Sequence, residues 1–257
     1  MSFEDASLGR RVVKVSTNDD EFAPEVNARA TLRASGLPVA EPLSYQPKAP
    51  STLTLPWVEG DALSADHPTS AHERVGALLA RVHQIPAIAE FGGNTTWSSW
   101  MQGWLSTACA WWESVRPHQA VPFGVLSDRL AELSPAMDAD AEGSILFDGR
   151  PEHFVVDDSL EIQMIDVEQL KAGDPAMDVG VLAVWIPEAV PAIVSGFAAV
   201  SGPVDETFQA RVEFYTLLRT LAAAQWHLER LHDAAVSNAL LDQAHVLAVV
   251  PLPRRHV

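Results

Sequence analysis

The chain has 257 residues, 47% hydrophobic and 20% charged, which suits a globular protein folded as one large domain or two lobes around a packed core. Its 34 Asp plus Glu against 17 Lys plus Arg give a formal charge of −17, which argues against nucleic acid and anionic membrane surfaces as partners; a cationic small molecule is compatible, and plain solubility is the simpler reading. A lone cysteine, Cys109, excludes an internal disulfide, and the opening Met-Ser-Phe-Glu-Asp lacks the basic and apolar runs of a secretory signal, so a reducing cytoplasm is expected.

Arg10 to Ser16 predicts a strand after a turn at Gly9, and Pro24 to Ser35 a helix stopped by Gly36. Leu37 to Pro42 is extended, because each proline restricts itself and the residue before it. A strand over Leu53 to Val58 runs into a turn at Glu59-Gly60-Asp61, where a small strand-bearing front part meets a larger helical rear part. Helices are predicted over Ser70 to Gln84, Thr96 to Val115, Ser127 to Leu133, Phe208 to Ala234 and Ser237 to Val246; late strands over Ser144 to Phe147, Phe154 to Val156 and Glu161 to Ile165. Val179 to Val200 is long and apolar, but Pro187, Glu188 and Pro191 interrupt it, so two short buried helices are expected rather than a membrane span.

Chemistry concentrates between Leu146 and Asp178. Asp148 opens Asp-Gly-Arg-Pro-Glu-His, Asp166 ends the apolar run Ile162 to Ile165, and Asp174 and Asp178 sit in Gly-Asp-Pro-Ala-Met-Asp. A hairpin can bring Asp148 and Asp166 to one edge, where carboxylates can hold Mg²⁺ beside a hydroxyl that must lose its proton. For each residue a structural alternative stands beside the chemical one: a turn for Asp148 before Gly149, a strand-end cap for Asp166, and a solvated side chain for Lys14 among valines.

The order of these features resembles the aminoglycoside phosphotransferase and choline kinase family, along nearly the whole chain. Val12-Val13-Lys14-Val15 matches the family's strand lysine, Glu25 its partner helix acid, and Leu55 to Gly60 the linker ending in a Glu-Gly turn. Leu79-Ala80-Arg81-Val82-His83 matches a helix end, Asp148 to His153 the catalytic loop, Ile165-Asp166-Val167-Glu168 the metal-binding segment, and Gly173 to Asp178 its Gly-Asp-Pro-Ala-x-Asp. The resemblance implies an α+β, two-lobed protein-kinase-like fold, with a sheet-bearing N-lobe over 1–60 and a mostly helical C-lobe over 61–257. It implies a phosphotransferase moving the ATP γ-phosphate to a hydroxyl of a small molecule, an antibiotic or related metabolite. Lys14, Glu25 and Glu59 would serve the nucleotide, Asp166 would hold Mg²⁺, and Asp148 would take the acceptor's proton, with Asp174 and Asp178 structural.

Three departures shape the expectation. The family's loop asparagine is His153, a poor Mg²⁺ ligand that could instead bond a phosphate, hold another metal or mark a lost site. Leu146-Phe147 replaces His-Gly before the catalytic position, and a register shifted by one residue would put Gly149 there; Pro151 favours Asp148. Thirteen residues precede Lys14, room for one hairpin, so the phosphate-covering loop lies upstream of Met1 or nucleotide is held weakly. The alternative is thus a catalytically degenerate relative that binds a nucleotide, a small molecule or a protein partner.

On the substrate side, Trp97, Trp100, Trp104 and Trp111 recur at near-helical spacing, suited to a core seam or to stacking. Glu113, Asp128, Asp138, Asp140 and Glu142 could make the rear cleft acidic, although solvated acids are the default. His227 and His232 are five apart, so no zinc site is assigned and a metal-dependent hydrolase is disfavoured.

Overall fold

The structure, a computed structural model, describes residues 2–5, 9–87 and 95–249, with side chains from residue 9 onward. Its first sheet contains β1 (Ser2–Asp5), β2 (Gly9–Ser16), β3 (Ser44–Gln46) and β4 (Ser51–Pro56), antiparallel in the order β1-β2-β4-β3. Ser51, Leu53 and Leu55 alternate inward along β4, the period of a half-buried strand. Between β2 and β3 runs α1 (Ala23–Ala34), with Pro24 in its first turn and Ala28 and Leu32 buried.

The rear part holds α2 (Thr69–His83), α3 (Trp97–Val115), α4 (Phe123–Ala139), α5 (Ala176–Trp185), α6 (Val190–Ser201), α7 (Phe208–Glu229) and α8 (Ala234–Val249). Among them, β5 (Asp61–Ala62) pairs with β7 (Phe154–Val156), which pairs with β8 (Ile162–Met164), while β6 (Ser144–Ile145) pairs with β9 (Lys171–Ala172). The Met164 N–H donates to the Pro38 carbonyl at 2.9 Å, which joins this hairpin to the front part. No helix among the described residues is long and apolar enough to cross a membrane; α5 and α6 divide the long apolar stretch at a turn over Pro187–Ala189.

Several elements differ from expectation. α4 runs ten residues longer than Ser127 to Leu133, 17 against seven, with Pro135 inside it. Leu126, Leu130, Leu133 and Met137 keep one face buried, and that burial outweighs the lost hydrogen bond. The helix starting at Phe208 ends at Glu229 rather than Ala234, because His232 takes a φ of +54° and Asp233 caps α8 by accepting the Val236 N–H at 3.1 Å. β6 stops at Ile145 rather than Phe147, since the next two N–H groups bond elsewhere. β3, β5 and β9 span two or three residues, too short to show a periodicity.

Two glycines set how closely the rear helices pack. A Cβ on Gly76 of α2 would lie 1.8 Å from the Ile193 carbonyl oxygen, and one on Gly196 of α6 would lie 1.8 Å from that of Glu73. Backbone therefore rests on backbone at this crossing. Gly76→Ala should force the helices apart at a cost of about 2–3 kcal/mol, lowering Tm by roughly 5–10 °C. A melting curve that overlays the wild type would show that the crossing yields freely.

Candidate active site

Strand alternation puts Val12 and Lys14 on one face of β2, and both line a cleft of about 270 Å³ between the two parts. Leu55, Trp57 and Val58 close one side, and Ala40, Val155 and Ile165 add further apolar wall, with Asp166 at the polar end. Lys14 Nζ donates to Glu25 Oε2 at 2.7 Å and to Asp166 Oδ1, and lies 3.8 Å from Glu168 Oε2. Its three carboxylate neighbours come from α1 and from the turn after β8, so the group forms only when both parts are docked.

Glu25 is buried together with Arg29, one helical turn on. Arg29 places Nε and Nη2 on Glu25 Oε1, at 2.9 and 2.7 Å, and Nη1 on the Ala40 carbonyl at 3.1 Å. Both oxygens of Glu25 are therefore taken, one by Arg29 and one by Lys14. Burial pushes the Lys14 ammonium down, but its bonds to Asp166 and Glu25 outweigh that and hold it above the usual lysine value. Burial pushes the Asp166 carboxyl up, and Lys14 reverses this, leaving it below the usual carboxylate value. Glu168, without such a bond, is held above that value, mainly by burial.

The loop from Leu146 to His153 is anchored from α5. Asp178, in the first turn of that helix, accepts the Leu146 N–H at 2.9 Å and the Phe147 N–H at 2.8 Å. Burial pushes its carboxyl up to about 7 even so. Phe147 has a φ of +65° and Asp166 one of +52°, left-handed conformations that non-glycine residues take only where the surroundings enforce them. Asp174, fully buried, accepts from Ala176 N at 3.0 Å, Arg211 Nη1 at 2.8 Å and the Tyr215 hydroxyl at 2.8 Å.

Asp148 and Asp166 flank His153. The ring's Nδ1 lies 2.7 Å from the Asp148 carbonyl oxygen and Nε2 lies 3.8 Å from Asp166 Oδ2. A carbonyl can only accept, so Nδ1 carries the proton, and the Nε2 lone pair then faces the Arg150 Nη2 donor at 3.2 Å. Both nitrogens are thus engaged within the loop, Nδ1 on the Asp148 carbonyl and Nε2 by Arg150, with Asp166 next to the ring. The linker around Glu59 borders the cleft through Val58 and Gly60, and the Glu59 side chain, 76% exposed, lies 3.8 Å from Arg10.

Asp148 itself accepts from Arg219 of α7 at Oδ1, and Arg150 Nε lies 3.4 Å from its Oδ2. Arg219 rests over Phe147 and Trp104, at 5.3 and 5.7 Å from the ring centroids, and Lys171 sits 3.9 Å from the Phe147 centroid. The α3 aromatic face is thus mainly support: Trp97 and Trp112 are core, and Trp100 and Trp104 pack on Phe147. Of the acids expected at the rear cleft, Asp138 is engaged by Ser98 and Asp140 by Arg211. Sequence reasoning missed Arg29, Arg150, Lys171 and Arg219. A signal for the last exists: Arg219, Ala222, Ala223, Trp226 and His227 follow i, i+3, i+4, i+7, i+8, one face of α7.

A small antiparallel sheet with a lysine–glutamate pair, hinged to a helical part that supplies loop and turn aspartates, defines a two-lobed α+β scaffold of the protein-kinase-like class. The model of the phosphotransferase enzyme family matches residues 2–214, and the chain belongs to that family of small-molecule phosphotransferases. Among solved structures, a choline/ethanolamine kinase family protein from Mesorhizobium loti superposes with a TM-score of 0.65 at 16% identity, covering 94% of this chain and 83% of that one. A spectinomycin phosphotransferase in complex with ADP and spectinomycin gives 0.66 at 13% identity, covering 93% and 86%. An aminoglycoside phosphotransferase from Streptomyces rimosus, in complex with ADP and streptomycin, gives 0.57 at 22% identity, covering 86% and 89%. No curated protein sequence matches.

Proposed function

We propose that this protein transfers the γ-phosphoryl group of ATP to a hydroxyl of a small molecule. The observation that carries this reading is the meeting of Lys14, Glu25 and Asp166 at the polar end of an apolar cleft, with the Asp148 loop held next to it through His153 and Asp178. The ADP complexes of two structurally similar phosphotransferases support it.

The cleft walls suit a flat base, and Lys14 at their end suits phosphate oxygens, with Glu25 and Arg29 fixing its position. Asp166 and Glu168 also fit Mg²⁺: Lys14 occupies one oxygen of Asp166, Oδ2 accepts no hydrogen bond among the described residues, and a Glu168 carboxylate oxygen lies within 4.8 Å of an Asp166 oxygen, while Glu25, in the same cluster, is already engaged by Lys14 and Arg29. Bound there, the ion would neutralise phosphate charge. Asp148 then receives the acceptor's hydroxyl proton as the new O–P bond forms and the bond to the β-phosphate oxygen breaks, releasing ADP. Its pairing with two arginines, and the engagement of His153, favour a second reading in which nucleotide is bound without turnover.

ATP with Mg²⁺ should raise Tm by roughly 5–10 °C when present at about a hundredfold over Kd, and Lys14→Ala should remove the shift. No shift at millimolar ATP would sink both readings; a shift without ADP formation across an acceptor panel would leave the second.

A further inference from the structure

A second cavity, of about 340 Å³, opens beside Asp148 between α5 and α7, and shares no lining residue with the Lys14 cleft. Its polar lining is Asp148, Arg150, Arg219 and His227, and its broad surfaces are Trp185 and Trp226. These tryptophans are 38% and 55% exposed, unusual for the largest apolar side chain. They lie on the cavity rather than being scattered, with Trp185 6.2 Å from His227 between ring centroids.

The charge of this cavity opposes that of the protein. Acids outnumber Lys plus Arg 34 to 17 over the whole chain, yet here two arginines face one aspartate, with Lys171 near both Asp148 and Arg219. Arg219 bonds Asp148 through Nη2, and its other N–H groups have no acceptor among the described residues. A guanidinium with free donors recognises a carboxylate by paired hydrogen bonds, and an amine brought here would meet like charge. Arg150 is less free, since Glu152 takes Nη1 at 2.8 Å, but it adds its charge to the same wall.

Resting on the phosphotransferase reading, we propose that the acceptor is a hydroxy acid with a flat apolar body, its carboxylate on Arg219 and Arg150 and its body against Trp185 and Trp226. Its hydroxyl then lies at Asp148, on the wall of this cavity. The consequence is a preference opposite to that for a cationic acceptor.

The test is equilibrium binding without nucleotide, followed by tryptophan fluorescence and saturation-transfer NMR, using 3-phenyllactate, its ammonium counterpart 1-amino-3-phenylpropan-2-ol and neutral 3-phenylpropane-1,2-diol. Phenyllactate should bind at least about tenfold more tightly than the amino alcohol, which corresponds to about 1.4 kcal/mol. Arg219→Gln, or the more exposed Arg150→Gln if the first fails to fold, should erase that preference, and Trp226→Ala should weaken all three probes alike. Equal or reversed preference in the wild type overturns the proposal. So does phenyllactate binding that survives both arginine variants but is lost in Lys14→Ala, which would place the anion in the nucleotide cleft. Because ATP is absent, a failure of nucleotide binding or turnover leaves this result unaffected.

Discussion

Asp148→Asn should lower the rate of phosphoryl transfer by about 10²–10⁴-fold, the usual contribution of a positioned acid or base, while the ATP-induced rise in melting temperature persists. Asparagine keeps the shape and one oxygen for Arg219, but an amide cannot take the proton that leaves the acceptor hydroxyl. The nucleotide contacts proposed above reside on β2, α1 and the turn after β8, so they should be unaffected. The substitution also removes the carboxylate partner of Arg219, whose side chain is 15% exposed, at a cost of about 1–3 kcal/mol in stability. Rates are therefore to be compared well below the variant's melting temperature. Turnover equal to wild type under those conditions would take Asp148 out of the proton transfer.

The second large effect lies beneath the site. Arg211 is fully buried, bonds Asp174 at 2.8 Å, Asp140 at 2.7 Å and Asp205, and thereby ties α7 to α4 and to the turn entering α5. Arg211→Leu strands Asp174 in the core without its cation and should cost about 3–5 kcal/mol. The loss depends on pH. Burial already raises the Asp174 carboxyl to about 6 with Arg211 present, and removing the arginine raises it further. A folded-state value above the unfolded one means that the native protein binds the extra proton, so stability falls as pH rises through that window. The deficit measured by denaturant melts should thus be largest near pH 8 and narrower near pH 5. A deficit independent of pH would show that Asp174 is not the stranded charge.

Lys14, Glu25 and Asp166, singled out in short motifs, meet at the polar end of the cleft, and Asp148 lines the neighbouring cavity. The pairing of Lys14 with Glu25 was legible; the arginines were not. Arg219 lies 71 residues from Asp148, and Trp185 and Trp226 line one cavity from two helices that neither periodicity nor composition connects. His153 is instructive in the other direction. Its residue type suggested metal or phosphate chemistry, and its ring bonds within the loop, to Arg150 and the Asp148 carbonyl, partners that residue type alone does not specify. The elements followed a similar rule: long periodic segments such as α2 and α3 came within a residue at each end, while α4 grew past Pro135 because packing decided it.

The double engagement of Glu25 bears on control. To swing α1 outward, the molecule must break the Lys14–Glu25 and Arg29–Ala40 links together, at about 1.5–3 kcal/mol for each charge-assisted bond. Such an open form would hold well under one molecule in a hundred. The ammonium of Lys14 is therefore held in one place before any ligand arrives, so a phosphate entering the cleft would meet a charge already aimed at it.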